Sequence, residues 1–104
     1  MIDGECRCAA SELFGLLGRK YALDILCVVA NHGTARFGEI EDHLPGASTT
    51  TVSSRLDELV TADLVFRERY DEIPPRVEYG LTDDGWTLAE HLEPVARFAA
   101  DYPG

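Results

Sequence analysis

The sequence predicts a mainly α fold with one small β-hairpin. Three observations predict it. Apolar residues recur at helical spacing through most of the chain. Two short alternating segments, near 64–70 and 77–81, are joined by a Pro-containing loop. A further helical pattern follows them.

Taken in order, Ser11 is a candidate N-cap for a first helix with Leu13, Leu16 and Leu17 on one stripe and Gly18 as its stop. A second helix is predicted from about Lys20 to Ala30. Ala22, Leu23, Ile25, Leu26, Val28, Val29 and Ala30 cover most of its circumference, which predicts burial all round, Cys27 included. Asn31-His32-Gly33 ends it. A short third helix follows Thr34, with Phe37, Ile40 and Leu44 on one side. Pro45-Gly46 reads as a turn. Ser48 then caps a fourth helix whose Val52, Leu56, Leu59 and Val60 share a stripe. In the hairpin, Leu64, Phe66 and Tyr70 face one way and Val65, Arg67 and Arg69 the other; Val77, Tyr79 and Leu81 alternate likewise, and Asp71–Pro75 link the two strands. Thr82 or Asp83 caps a last helix carrying Leu88, Leu92, Val95 and Ala99, and Pro94 predicts a kink or restart within it. Helix, short helix, turn, helix, hairpin is the order of a winged helix-turn-helix domain. Residues 1–8 are expected to be a flexible leader and 9–104 a single domain.

A chain of 104 residues is one ordinary domain, and 45% hydrophobic content supports a core without disulfides. No apolar run approaches the roughly 18 residues of a membrane span. Met1–Glu5 has neither a basic n-region nor an apolar h-region, so a cytoplasmic protein is expected. Nine basic residues against nineteen acidic ones leave a net charge of −10. Lys20 is the one lysine, and the acids are dispersed. Such a surface fits either an acidic mesophilic protein or one adapted to concentrated salt. The saline reading is favoured: dispersed self-repulsion destabilises a compact state, and salt near 1 M shortens the Debye length to about 3 Å. A salt-adapted archaeon is the expected source. Three cysteines, Cys6, Cys8 and Cys27, are an odd number and argue against a disulfide framework.

Several segments carry a family resemblance. Arg36-Phe37-Gly38-Glu39-Ile40 resembles the opening of the helix before the recognition helix in HxlR-type winged helix-turn-helix regulators, relatives of the MarR group. His43-Leu44-Pro45-Gly46-Ala47-Ser48 is similar to their turn, and Arg55-Leu56-Asp57-Glu58-Leu59 to their recognition helix. Pro74-Pro75-Arg76-Val77-Glu78-Tyr79-Gly80-Leu81-Thr82-Asp83-Asp84-Gly85 is a long, specific match to the second wing strand and the start of the next helix. Cys8 stands ahead of Gly18-Arg19-Lys20-Tyr21 at the spacing of a family cysteine. The resemblance spans roughly residues 8–100. Tyr21 departs from the usual tryptophan, Ala9 from a proline, and Phe98 from a late tryptophan.

The resemblance implies a homodimeric transcription regulator that binds a palindromic double-stranded operator. It places the dimer interface in the N-terminal segment and the last helix, with Leu13, Phe14, Leu17, Leu88, Leu92, Val95 and Phe98 as candidates; several of these would equally close the monomer core. It also makes Cys8, with Cys6, a candidate redox sensor. Exposure and the adjacent Arg7 would favour a thiolate, and strain in a Cys-x-Cys loop favours an intersubunit bond. A non-reactive thiol is the alternative.

In this fold the fourth helix enters the major groove. Its outward face offers Thr49, Thr50, Ser53, Ser54 and Asp57, with Thr51 and Arg55 beside it. Hydroxyls can bond donors or acceptors on bases, and an arginine can grip a guanine edge. Ser48 and the free N–H groups of the first turn can hold a phosphate. Arg55 could instead pair with Glu39 or another acid of the preceding helix. Arg36 is a candidate phosphate clamp. On the wing, Arg67, Arg69 and Arg76 are candidates, with Arg69 and Arg76 at its base favoured over the acidic tip Asp71-Glu72-Ile73; pairing with Glu68 or Glu78 is the alternative. Five of the eight arginines lie in this half.

No cofactor and no catalytic residue is expected. The chain has no Gly-rich phosphate loop, no His-Glu-x-x-His and no Gly-x-Ser-x-Gly, and helix capping explains Asp83-Asp84. A metal-responsive site using Cys6 and Cys8 is a weaker alternative, because His32, His43 and His91 lie scattered on separate elements. A protein-interaction module on the same fold is a third.

Overall fold

A computed structural model describes residues 4–102, with side chains described from Ala10 onward. The elements run α1 (Gly4–Leu17), α2 (Ala22–His32), β1 (Thr34–Arg36), α3 (Phe37–Asp42), α4 (Thr49–Thr61), β2 (Val65–Tyr70), β3 (Arg76–Leu81) and α5 (Asp83–Asp101). The fold is a mostly helical winged helix-turn-helix with a small three-stranded antiparallel sheet.

The core forms where the apolar stripes converge. Ile25, Leu26 and Val29 of α2 meet Ile40 of α3, Val52, Leu56 and Leu59 of α4, and Val65, Tyr79 and Leu81 of the sheet. The second helix is not buried all round: Leu23, Asp24 and Cys27 face solvent. Around the helix Cys27 lies between Leu23 and Asp24 on the outward side of α2, so that whole strip turns to water. The expected core role of Cys27 is therefore overturned.

The first helix also differs from expectation. It begins at Gly4, so the backbone of residues 4–8 is helical and Ser11 sits inside the helix rather than capping it. Glu5, Arg7, Ala9 and Ala10 are helix formers, and nothing in the segment breaks the helix. It ends at Leu17, one residue before Gly18.

The third strand was not anticipated. Thr34–Arg36 pairs antiparallel with Glu78–Gly80, giving the order β1-β3-β2. Ala35 fills the interior at this edge. The hairpin agrees with the alternation: Val65 pairs with Leu81 and Tyr70 with Arg76, leaving Asp71–Pro75 as the loop.

The fourth helix is defined at both ends. Ser48 Oγ accepts from the Thr51 N–H at 3.1 Å. At the other end Asp63 takes a left-handed conformation, φ 61°. The N–H of Leu64 then reaches the Leu59 carbonyl and that of Asp63 the Val60 carbonyl, both at 3.0 Å, closing a Schellman motif. Thr82 caps α5, accepting from the Gly85 N–H at 3.0 Å and donating to the Asp63 carbonyl at 2.6 Å. Gly85 is required there, since a Cβ would stand 2.1 Å from the Leu64 carbonyl oxygen. The last helix continues through Pro94 without restarting. Leu88 and Leu92 pack on the core, whereas Val95, Phe98 and Tyr102 run beyond it into solvent.

Candidate nucleic-acid interface

Burial of Val52, Leu56 and Leu59 turns the opposite side of α4 outward. That side carries Thr50, Ser54 and Asp57, flanked by Thr49 and Ser53, all exposed. The hydroxyls divide into two groups. Ser48 caps the helix and donates to Thr51 Oγ1 at 2.9 Å, and Thr49 donates to Glu41 of α3 at 2.7 Å. These three set the angle at which α4 leaves the turn. Thr50, Ser53 and Ser54 present small hydroxyls to the outside.

Arg55 points elsewhere. Its Nε donates to the Lys20 carbonyl at 3.0 Å, and a terminal nitrogen donates to Glu58 at 3.1 Å. Its side chain is only 19% exposed. Glu58 also meets Arg19 at 3.5 Å. Arg55 therefore ties α4 to the α1–α2 turn. Its partner is an acid three residues along the same helix, a spacing readable in the sequence, not Glu39 of the preceding helix.

Glu39 is engaged with the start of its own helix. Its carboxylate accepts the Arg36 N–H at 2.8 Å, half of a capping box. A guanidinium cannot accept, so the reciprocal half is missing and the exposed Arg36 side chain points to solvent.

On the wing, the three arginines have different fates. Arg67 bonds to Asp57 of α4, and its Nε donates to the Tyr79 hydroxyl at 3.3 Å. The Tyr79 hydroxyl and then the Asp57 carboxylate raise the Arg67 guanidinium further above its ordinary value. Arg76 folds back: it pairs with Glu72 at 3.2 Å and stacks over the Tyr70 ring at 4.3 Å. Its buried Nε lies 3.1 Å from Glu78 but out of line for a hydrogen bond, so that contact is ionic. Arg69 is the open one, 70% exposed, with Asp71 no nearer than 4.0 Å. Among the exposed sequence candidates for DNA contact, those whose side chains make no hydrogen bond within the described residues are Arg36, Arg69, Thr50, Ser53 and Ser54.

Other candidates fall as follows. Leu13, Phe14, Val95 and Phe98 are exposed, Leu17 is buried, and Leu88 and Leu92 are half-buried. The Cys6 and Cys8 side chains lie outside the described residues. His32 and His43, scattered in the sequence, meet edge to face at 5.4 Å, because β1 folds α3 back against the end of α2. His43 Nδ1 bonds the Glu39 carbonyl at 3.0 Å. Among the described residues, no group of three or more His, Cys, Asp or Glu is arranged to hold a metal.

Comparison with known proteins adds to this geometry. Residues 16–103 match the HxlR-like helix-turn-helix family. An uncharacterized HTH-type transcriptional regulator of Synechocystis sp. is 36% identical over 95 residues, covering 91% of this chain and 70% of its own. The reduced form of the transcriptional regulator YodB from Bacillus subtilis has a TM-score of 0.79 at 29% identity, covering 99% of this chain and 96% of its own. The redox regulator HypR in its oxidized form has a TM-score of 0.80 at 26% identity, covering 93% and 99%.

Proposed function

Because this chain belongs to the HxlR-like helix-turn-helix family, we propose that it is a transcription regulator that binds a palindromic double-stranded operator as a homodimer. The observation that carries the reading is the face of α4: exposed Thr50, Ser53 and Ser54 directly after the turn capped by Ser48. Small hydroxyls there reach base edges, while Arg36 and Arg69 flank them as backbone contacts. Arg55, Arg67 and Arg76 position these elements.

Dimerisation rests on Leu13 and Phe14 of α1 and Val95 and Phe98 of α5, which one small core leaves exposed. A partner copy would cover them, and two-fold symmetry would match the two operator half-sites. Among the described residues, no helix is long and apolar enough to cross a membrane, and we place the regulator in the cytoplasm with its DNA. We assign no enzymatic activity to it.

The redox part rests on Cys8, with Cys6, and on similarity to YodB and HypR, the latter a redox regulator. Two Cys8 thiols, one from each subunit, would lose two protons and two electrons to a peroxide or quinone and join as a disulfide. That bond would change the spacing of the recognition helices.

The test is genome-fragment binding by the purified protein in concentrated salt, reduced and oxidised in parallel. A discrete palindrome whose occupancy changes on oxidation, and no longer changes in Cys8→Ser, supports the whole reading. A site bound equally in both states removes the redox switch. No specific site in either state removes the DNA-binding reading in favour of a protein-interaction module.

A further inference from the structure

We propose that Ile73, backed by Pro74 and Pro75, is an apolar wedge that enters the DNA minor groove beside the major-groove site of α4. The inference rests on the DNA-binding reading above and deepens it.

The wing is built to project. β1 covers β3 only at Glu78–Gly80, so the pairs Arg69–Val77 and Tyr70–Arg76 stand beyond the three-stranded sheet as a bare ribbon. Burial falls in the same direction, from Val65 at the body to an exposed Asp71–Pro75 loop. Two ladder pairs and half of a five-residue loop, at about 3.3 Å per residue, reach beyond the roughly 7.5 Å depth of a minor groove.

The tip has little else to offer DNA. Arg76 is turned back onto Glu72, Glu78 and Tyr70, so it cannot lead the wing into a groove. Asp71 and Glu72 are repelled by phosphates, and Arg69 near Asp71 offsets part of that. What remains is Ile73, 102% exposed, followed by two prolines that also face solvent. Proline lacks an N–H and fixes its backbone, so the tip is stiff and presents hydrocarbon. Isoleucine and proline are among the side chains that wedge between base steps from the minor groove. The wing is continuous with α4 through the Arg67–Asp57 contact, which places both on one DNA-facing side. An apolar contact releases no counterions, which suits an acidic protein in concentrated salt.

The experiment uses the full chain and an operator selected by it from random DNA. Ile73→Ala is fully exposed and should fold normally, checked by circular dichroism. It is expected to bind about tenfold more weakly, the size of a lost isoleucine contact, with an unchanged salt slope. Arg69→Ala should instead lower that slope by about one. A 2-aminopurine at the flanking step should brighten on binding the parent protein and stay dark with Ile73→Ala. If the parent selects a site yet Ile73→Ala binds it within twofold, or 2-aminopurine stays dark with the parent, the wedge is overturned and DNA binding stands. If the parent selects no site, both fall.

Discussion

The Arg67 guanidinium on the first wing strand bonds to the Asp57 carboxylate on the outward face of α4, and its Nε is held at 3.3 Å by the Tyr79 hydroxyl. The first wing strand and α4 are thus joined across the surface proposed to meet DNA. With side chains 42% and 60% exposed, the ion pair is expected to contribute no more than about 1 kcal/mol to stability. What it does is hold the first wing strand against α4. Asp57→Asn is expected to leave urea denaturation nearly unchanged. It should raise operator affinity and steepen the salt slope by about one, because a carboxylate leaves the DNA face and Arg67 becomes free for phosphate. Arg67→Ala should lower affinity with no change of slope. A slope that falls by one in Arg67→Ala would show that Arg67 already contacts phosphate.

Arg55, on α4 itself, illustrates another outcome for an arginine. It is drawn inward by the Lys20 carbonyl and Glu58. Arg55→Ala should destabilise the fold by about 1–2 kcal/mol, the scale of lost hydrogen bonds involving a charged group. Arg55→Lys should recover little, because an ammonium cannot reproduce the guanidinium's two-directional geometry. Urea denaturation measures this. The base preferences of the operator, read by competition with single-base variants, should be the same in both variants. Unchanged stability with relaxed preference at one position would make Arg55 a base-reading residue instead.

Ser48 combines a cap and a candidate phosphate contact, and two substitutions separate them. Ser48→Ala removes the oxygen that accepts the Thr51 N–H and should cost about 1 kcal/mol of stability. Ser48→Asp keeps a capping acceptor and adds charge favourable to the helix dipole, so stability should hold or rise. The same carboxylate would stand where a phosphate must sit, so operator affinity should collapse. Parallel urea and operator titrations of the pair decide it. If Ser48→Asp bound DNA like the parent, the first turn of α4 would not approach the backbone.

The helices α2 to α5 were legible because each carries an apolar stripe at helical spacing, and the Ser48 and Thr82 caps follow from side-chain chemistry at helix starts. β1 was not legible. Thr34-Ala35-Arg36 is too short to show a period, and it becomes a strand because β3 offers a free edge. The start of α1 was missed because a good cap at Ser11 competed with a longer run of helix formers ahead of it. The hydroxyl face of α4 was readable from periodicity alone. The arginines were not: Asp57 faces Arg67 across two elements, and the Lys20 carbonyl that takes Arg55 carries no side-chain signal. The choice between gripping DNA and bracing the fold is a tertiary fact.

Asp63 gives a stability prediction with its sign set by two independent effects. It occupies the left-handed position of the Schellman motif that ends α4, φ 61°. Glycine meets no Cβ penalty there, and that position favours it in most helices. Asp63 also places a negative charge at the C-terminal end of α4, where the helix dipole is already negative. Against both stands the greater backbone freedom of glycine in the unfolded chain. Removing the steric and the charge penalties together should outweigh that loss, so Asp63→Gly is expected to stabilise the protein by about 0.5–1 kcal/mol. The gain should be larger at low salt, since the charge contribution is screened as salt rises. The Asp63 carbonyl that receives the Thr82 hydroxyl belongs to the backbone and survives the substitution, so the junction of α4 with α5 is kept. Urea denaturation at low and high salt tests both parts. Loss of stability at every salt concentration would mean that chain entropy dominates at this turn, whereas a gain independent of salt would leave the steric effect and remove the dipole.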